Sequence, residues 1–169
     1  MSRARAGILA GARATIIQGG VRRMTMSAVA ERGGVAKATV YNHFRSRGEL
    51  LDGLLADELT LLLKVADDAG ESTADQLTAV AGSMARNRLL DAIRQHEPEV
   101  LAGLAGHPTG RWEGVVVTVQ ARLAAQGARS DDVAVDLVIR WLLSVVLAPA
   151  TNERLAPQAS LLATAIYDG

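Results

Sequence analysis

A pair of glycines, Gly33-Gly34, constrains the fold most, because it separates two short segments that each have helical periodicity. Thr25 or Ser27 can cap the first segment, which ends at the glycines. The second segment runs from about residue 36 to 44 and places Val40 on the same face as its last residue. Two short helices joined by a glycine turn form a helix-turn-helix, and in DNA-binding proteins the second of these helices enters the major groove.

Helices are also predicted on both sides of this unit. Apolar residues on one helical face predict a first helix that ends at Gly19-Gly20, and these residues are Ile8, Leu9, Ala12 and Ile16. Downstream, Ser46 and Glu49 form a capping box that begins a long, leucine-rich helix ending near Gly70. The sequence therefore predicts a three-helix domain at residues 1–47 and a second domain at residues 48–169.

The charge of the chain changes sign at the same boundary. The whole chain has 18 basic and 18 acidic residues, but residues 1–47 contain nine basic residues and one acidic residue. The net charge is therefore +8 for residues 1–47 and −8 for residues 48–169. A basic N-terminal domain suits contact with phosphates, whereas an acidic remainder is repelled by them.

The second domain is also predicted to be helical. Alanine and leucine supply most of the apolar residues, and no segment has the period-two alternation of a strand. The expected helices run from Ser72 or Thr73, from residue 111 to 126, from Ser130 to Pro149, and from Pro157 to Tyr167. The predicted fold class is all-α.

The sequence argues against an enzyme and against a metal protein. It has no cysteine, no phosphate-binding glycine loop, no HExxH motif and no triad pattern. The segment His96-Glu97-Pro98-Glu99 and His107 could suggest a metal site, but a proline interrupts the segment and no second histidine lies four residues on. No metal and no cofactor are therefore expected.

The ends and the apolar tracts of the chain predict a cytoplasmic protein. The first residues lack the apolar core of a signal peptide. The longest apolar tract is interrupted by Asp136 and Arg140, so we interpret it as a core helix and expect no membrane partner.

One ungapped block around the predicted helix-turn-helix carries a family resemblance. Its residues are Thr25, Val29-Ala30, Gly34-Val35, Val40-Tyr41, His43-Phe44, Ser46 and Leu50. The block resembles the DNA-binding segment of the TetR family of bacterial transcriptional regulators, and the resemblance covers roughly the first 55 residues. It implies an N-terminal helix-turn-helix domain, followed by a helical domain that dimerises and senses a ligand.

The resemblance implies DNA contacts by eight residues, which are Thr25, Ser27, Lys37, Thr39, Tyr41, Asn42, His43 and Arg47. Hydroxyls and amides at a helix start, as at Thr25, can bind a phosphate. Asn42 can form paired hydrogen bonds with an adenine. Tyr41 and His43 have an alternative interpretation, in which both pack beneath the helix.

The sequence departs from the family at three positions. Ala36 stands where the family prefers serine or threonine, which removes a helix cap worth about 1 kcal/mol. Val21 stands where an aromatic residue is common, and Arg47 replaces the usual lysine while keeping its charge.

The resemblance also implies a ligand pocket and a dimer interface in the second domain. The expected pocket residues are Met84, Trp112 and Trp141. The expected interface residues are Leu142, Val145, Val146, Leu161, Leu162, Ala165 and Ile166. For both sets, ordinary packing inside the chain is the alternative.

Two functions therefore remain. The first is a DNA-binding regulator, expected to be a homodimeric repressor on a palindromic operator of double-stranded DNA and to be released by a small apolar effector. The second is a helical protein-interaction module whose helix-turn-helix no longer binds DNA. DNA binding distinguishes them.

Overall fold

The computed structural model describes residues 2–99 and 112–167. Within these ranges the regular structure is helical, as the sequence predicted. The α-helices are α1 (Arg3–Gly19), α2 (Met26–Gly33), α3 (Lys37–His43), α4 (Arg47–Asp68), α5 (Thr73–Ala85), α6 (Arg88–His96), α7 (Glu113–Ala125), α8 (Asp132–Leu147) and α9 (Asn152–Tyr167). A 3-10 turn, Val21–Arg23, lies between α1 and α2. No helix in these ranges is both long and apolar enough to cross a membrane.

The chain packs as two compact units. The first consists of Met1–Thr60 and Arg88–Pro98, and the second of Leu61–Asn87 and Glu99–Gly169. Packing therefore divides the chain within α4, because Leu50 and Leu54 of that helix are buried in the first core. Position 47/48 instead marks the start of α4 and the change in net charge. A DNA-binding domain that ends at this position remains a prediction.

Helix α6 joins the first unit, although the sequence analysis assigned it to the second domain. Leu89 of this helix is buried in the same apolar cluster as residues of α1 and α2. With residues 88–98 included, the first unit has eleven basic and seven acidic residues, a net charge of +4. The first unit therefore remains basic.

The backbones of α1 and α2 approach closely at glycines. A Cβ atom added to Gly11 would lie 2.5 Å from the carbonyl oxygen of Val29 and 2.7 Å from the amide nitrogen of Gly33. No real Cβ tolerates these distances, so a glycine is required where the two helices cross. The buried face beside this crossing includes Ile8, Ala12 and Ala30.

An ion-pair cluster holds α1 to α4 within the first unit. The Arg13 guanidinium lies 2.6 Å from Glu58 and 3.1 Å from Asp57. Burial alone would lower the pKa of Arg13, but the hydrogen bonds and charges of these carboxylates outweigh it and raise that pKa. Arg13, one of the nine basic residues among residues 1–47, is therefore neutralised by these two carboxylates.

The second unit has two apolar clusters and a buried polar network. One cluster includes Leu123, Val138 and Ile166, the other Ala81, Val145 and Leu155, and Trp141 packs against both. Two predicted helix starts were wrong. Asp131, not Ser130, caps α8, because its carboxylate accepts the Ala134 amide at 2.9 Å, and α9 begins at Asn152, with Pro157 inside it.

The polar network is centred on Gln76, which is buried at the start of α5. Its Oε1 accepts from Nε and Nη2 of Arg122 at 3.2 and 2.9 Å and from Nε2 of Gln126 at 2.6 Å. Arg122 also pairs with Asp67 of α4 at 2.6 Å. The network thus links the ends of three helices.

Candidate nucleic-acid interface

Helices α2 and α3 form the helix-turn-helix. Thr25 caps α2, with its hydroxyl accepting the Ala28 amide at 3.1 Å. Gly34 ends α2 in a left-handed conformation, φ 63°, that favours glycine. The chain then turns into α3 within three residues, so the turn lies where the glycine pair predicted it.

Helix α3 buries one side and exposes the other. Val40 is fully buried, whereas Lys37, Tyr41 and Asn42 are exposed and Thr39 and His43 are half-buried. Tyr41 is 45% exposed, which does not fit the alternative that it packs beneath the helix. Residues able to bind phosphates and base edges therefore share the outer surface of this helix.

The start of α3 lacks a side-chain cap. Ala36 occupies the N-cap position in an extended conformation and makes no capping hydrogen bond. The sequence predicted this loss from the alanine at that position. Phe44, which follows the last residue of α3, is buried. The Cζ atom of Arg5 lies over its ring, 5.3 Å from the ring centroid.

The start of α4 has both hydrogen bonds of the predicted capping box, but the carboxylate bonds to the residue before Ser46. The Ser46 hydroxyl accepts the Glu49 amide at 3.1 Å, as predicted. The Glu49 carboxylate reaches back to the amide of Arg45 at 2.7 Å. This pair orders the residues that join α3 to Arg47.

Arg47 makes a contact inside the chain. Its Nη2 donates to the carbonyl oxygen of Val21 at 2.5 Å, although the side chain remains exposed. Arg47 therefore joins the start of α4 to the turn that precedes α2. Its contact with DNA remains a prediction.

Glu97 has a role that its place in the sequence, within a segment rejected as a metal site, does not indicate. The residue is 3% exposed. Its two carboxylate oxygens accept the backbone amides of Val21 and Arg22 at 2.9 and 2.7 Å. Only the tertiary structure could reveal this, because the partners lie about 75 residues apart. Of the other metal candidates, His107 lies outside the described residues, and within the described ranges no cluster of three metal-binding side chains is found.

The predicted pocket residues lie in the second unit. Met84, Trp112 and Trp141 are each half-buried. The Trp141 indole donates to the side chain of Gln158 at 3.0 Å. A pocket lined by the three remains a prediction.

Four of the predicted interface residues lie in the core of the chain, and their part in a dimer interface remains a prediction. Val145, Val146, Leu162 and Ile166 are buried among the helices of their own unit, where their apolar surface is already covered. Leu142 is half-buried and packs against both apolar clusters. Leu161, which is 74% exposed, and Ala165 remain available to a partner.

Comparison with protein families matches residues 8–54 to the bacterial regulatory proteins of the tetR family. This match includes the whole helix-turn-helix and the start of α4. Residues 8–54 are therefore similar to this family, and they make up 47 of the 169 residues of the chain. Comparison with curated proteins gave no match.

Solved structures share the fold of this chain over nearly its whole length. The TetR family repressor AlkX from Dietzia sp. strain DQ12-45-1b, implicated in biodegradation of n-alkanes, has a TM-score of 0.68 at 15% identity, covering 96% of this chain and 94% of AlkX. A transcriptional regulator from Rhodococcus sp. Rha1 has a TM-score of 0.66 at 20% identity, covering 96% and 95%. FadR from Bacillus subtilis, in complex with stearoyl-CoA, has a TM-score of 0.62 at 16% identity, covering 97% and 98%. At these identities the likeness concerns the fold alone.

Proposed function

We propose that this protein is a TetR-family repressor that binds a palindromic operator as a homodimer and is released by an apolar effector. The observation that carries DNA recognition is the outer surface of α3, where Lys37, Tyr41 and Asn42 are exposed together beside a buried Val40. The net charge of +4 on the first unit supports it. The roles of the individual DNA-contact residues are part of this proposal.

The contact residues divide into those that bind the backbone and those that read bases. Lys37 and Arg47 are charged and suit phosphates, with Thr25, Ser27 and Tyr41 beside them. Asn42 suits the major-groove edge of an adenine, which an amide can bind with two hydrogen bonds. Thr39 and His43 contribute their exposed halves.

The test is fluorescence anisotropy with the DNA upstream of the protein's own gene, across a salt series. Lys37→Ala should weaken binding to all sequences and reduce the salt slope by about 1. Asn42→Ala should relax the preference at one base pair by about 1–3 kcal/mol and leave the slope unchanged. The matched control is Lys64→Ala, which removes an exposed charge from the second unit.

A wild-type protein that is folded but does not bind this DNA at low salt contradicts the proposal. Retention of a partner protein by the same sample would instead favour the interaction module. Equal effects of Lys37→Ala and Lys64→Ala would show that binding is not directed by α3.

The dimer interface is proposed on the exposed apolar face of α8 and α9. Along α8, Val133, Leu137 and Leu147 are exposed at helical spacing, and Leu161 is exposed on α9. A two-fold dimer uses the same surface on both copies, and a palindromic operator requires two recognition helices. Exposed apolar residues on two consecutive helices fit a second copy of this chain.

Leu161→Asp tests this interface by light scattering. The wild type should have twice the mass of the 17.7 kDa chain, and the variant should have the mass of one chain. Val117→Asp is the matched control, because Val117 is 62% exposed on α7 and lies outside the proposed face. A dimer that survives Leu161→Asp and is lost with Val117→Asp places the interface elsewhere.

The effector is proposed to be a molecule with a long apolar chain. Support comes from FadR of Bacillus subtilis, which has the same fold and was solved with stearoyl-CoA. An effector releases the operator only if it binds the DNA-free conformation more tightly. Helix α4 contributes residues to both units and is the proposed lever.

Stearoyl-CoA serves as the probe for this step. It should change the fluorescence of Trp112 and Trp141 and reduce operator affinity, with octanoyl-CoA as the shorter control. A protein that binds operator equally well with saturating stearoyl-CoA contradicts this effector class without affecting the DNA-binding proposal.

A further inference from the structure

Glu97 is a buried carboxylate that the proposed DNA contacts do not use. It follows α6, is 3% exposed, and accepts hydrogen bonds from two consecutive backbone amides. The same carboxylate lies 3.9 Å from Nε of Arg22. A buried carboxylate is costly unless it is well bonded, and here both oxygens have amide partners.

The two amides are the first of the 3-10 turn Val21–Arg23. The first amides of a helical turn have no partner within it, and Gly20 before the turn supplies no side-chain cap. The Glu97 carboxylate therefore caps the turn from a distant part of the chain. A carboxylate is favourable at this position because the N-terminal end of a helical turn is partly positive.

Gly20 allows the carboxylate to approach. Its φ is +81°, and a Cβ there would lie 3.2 Å from Cδ and Oε1 of Glu97 and 3.1 Å from Cβ of His96. A side chain at position 20 would thus strain the backbone and press against the carboxyl group.

The turn capped by Glu97 also accepts a hydrogen bond from Arg47, and it leads directly into α2 of the helix-turn-helix. The Val21 carbonyl accepts Nη2 of Arg47, and its amide donates to Glu97. Met24, which follows the turn, is fully buried, and Thr25 then caps α2. The position of Thr25 relative to Arg47 thus depends on this turn.

We propose that Glu97 is a positioning residue for operator binding. Its carboxylate fixes the turn, so that the start of α2 at Thr25 and Ser27 and the start of α4 at Arg47 meet the same DNA backbone in register. This inference rests on the proposed DNA-binding function and adds to it a residue that touches no DNA.

Glu97→Gln tests the inference, because it keeps the shape and one acceptor but removes the charge and the second acceptor. Loss of a negative charge from a basic unit should by itself tighten DNA binding. Loss of positioning should weaken it by about tenfold, as for one charge-assisted hydrogen bond. The two roles therefore predict opposite signs. The salt slope should match the wild type, since no phosphate contact is removed.

Three further samples make the result specific. Glu71→Gln, an exposed residue of the second unit, makes the same charge change and should bind as the wild type does. Gly20→Ala should weaken binding as Glu97→Gln does, and the double variant should be little weaker than either single variant, because both disturb one contact. Hydrogen exchange of the Val21 and Arg22 amides should accelerate in both single variants.

The outcomes distinguish the positioning role of Glu97 from operator binding itself. Equal or tighter operator binding by folded Glu97→Gln overturns the inference, and so does a lower melting temperature with an unchanged dissociation constant at the assay temperature. Failure of the wild type to bind operator overturns the proposed function, and the positioning role with it.

Discussion

The two units hold their helices together by different means. The first has one apolar cluster and a backbone-to-backbone crossing at Gly11. The second has two smaller clusters and joins three helix ends through the buried Gln76. Close packing is intolerant of added volume, whereas a buried polar network is intolerant of a missing partner. We therefore expect the two units to respond to opposite kinds of substitution.

The tryptophans allow the units to be observed separately. Both tryptophans of the chain, Trp112 and Trp141, belong to the second unit. Tryptophan fluorescence therefore follows unfolding of the second unit, while far-UV circular dichroism follows the helices of both.

The largest effect is expected from Gly11→Ala. The added methyl would lie 2.5 Å from the Val29 carbonyl, so α1 and α2 must separate. We expect the first unit to lose about 3 kcal/mol of unfolding free energy, as in other overpacked cores. In urea, circular dichroism should show an early transition that fluorescence does not show.

Gly114→Ala is the matched control for that substitution. Among the described residues, no atom outside the helix's own backbone and the adjoining residues lies within 4 Å of the added methyl, and Gly114 is within α7. Alanine in a helix should here stabilise the second unit by about 0.5–1 kcal/mol. If Gly11→Ala and Gly114→Ala change the unfolding free energy in the same direction, the proposed difference in packing between the two positions is wrong.

The second effect is expected from Gln76→Ala. The change removes the oxygen that accepts from Arg122 and Gln126, leaving their donors without this partner in a buried site. The second unit should lose about 2 kcal/mol, and the fluorescence transition should move to lower urea. Gln120→Ala removes an exposed glutamine with a single hydrogen bond, to the carbonyl of Ser130, and should have little effect.

A smaller effect, of opposite sign, is expected from Ala36→Ser. The N-cap already has the extended backbone that a capping residue needs, with φ −65° and ψ 145°. A serine hydroxyl there can accept the Thr39 amide, and we expect about 1 kcal/mol of stabilisation of the first unit. Ala38→Ser, inside α3, adds the same hydroxyl without a cap and should not stabilise. A loss of stability in Ala36→Ser would show that the start of α3 differs from this geometry.

The smallest effect is a pH dependence confined to the second unit. The Ala134 amide and Arg129 hold the pKa of Asp131 below its usual value. A carboxylate with a lowered folded-state pKa stabilises above the unfolded-state pKa and loses that contribution as the pH falls through the folded value. The melting difference between wild type and Asp131→Ala should thus be constant above about pH 4 and shrink below it.

Asp132→Ala provides the control for the pH dependence. Asp132 is exposed in the first turn of α8, and Asp131 already holds the cap position. A pH-dependent difference of the same size in Asp132→Ala would mean that the cap is not its source.

Local signals explain what the sequence could predict. The fold class, the glycine turn, the missing cap at Ala36 and the Ser46 cap all depend on residues within about four positions of each other. The membership of α6 in the first unit and the bond from Glu97 to Val21 depend on contacts across the chain, for which one sequence contains no signal. The dimer residues show a related limit, because apolar periodicity does not distinguish Val145, which is buried, from Leu161, which is exposed.

The route of the chain through the first unit has a consequence for synthesis. The unit is built from Met1–Thr60 and Arg88–Pro98, so its core and the cap on its turn are incomplete when residue 60 leaves the ribosome. At a synthesis rate of about 5–20 residues per second, the missing segment, Arg88–Pro98, emerges roughly 2–8 s later. During that interval the nascent DNA-binding unit lacks Leu89 and Glu97, so it should gain its final form only after part of the second unit has been made.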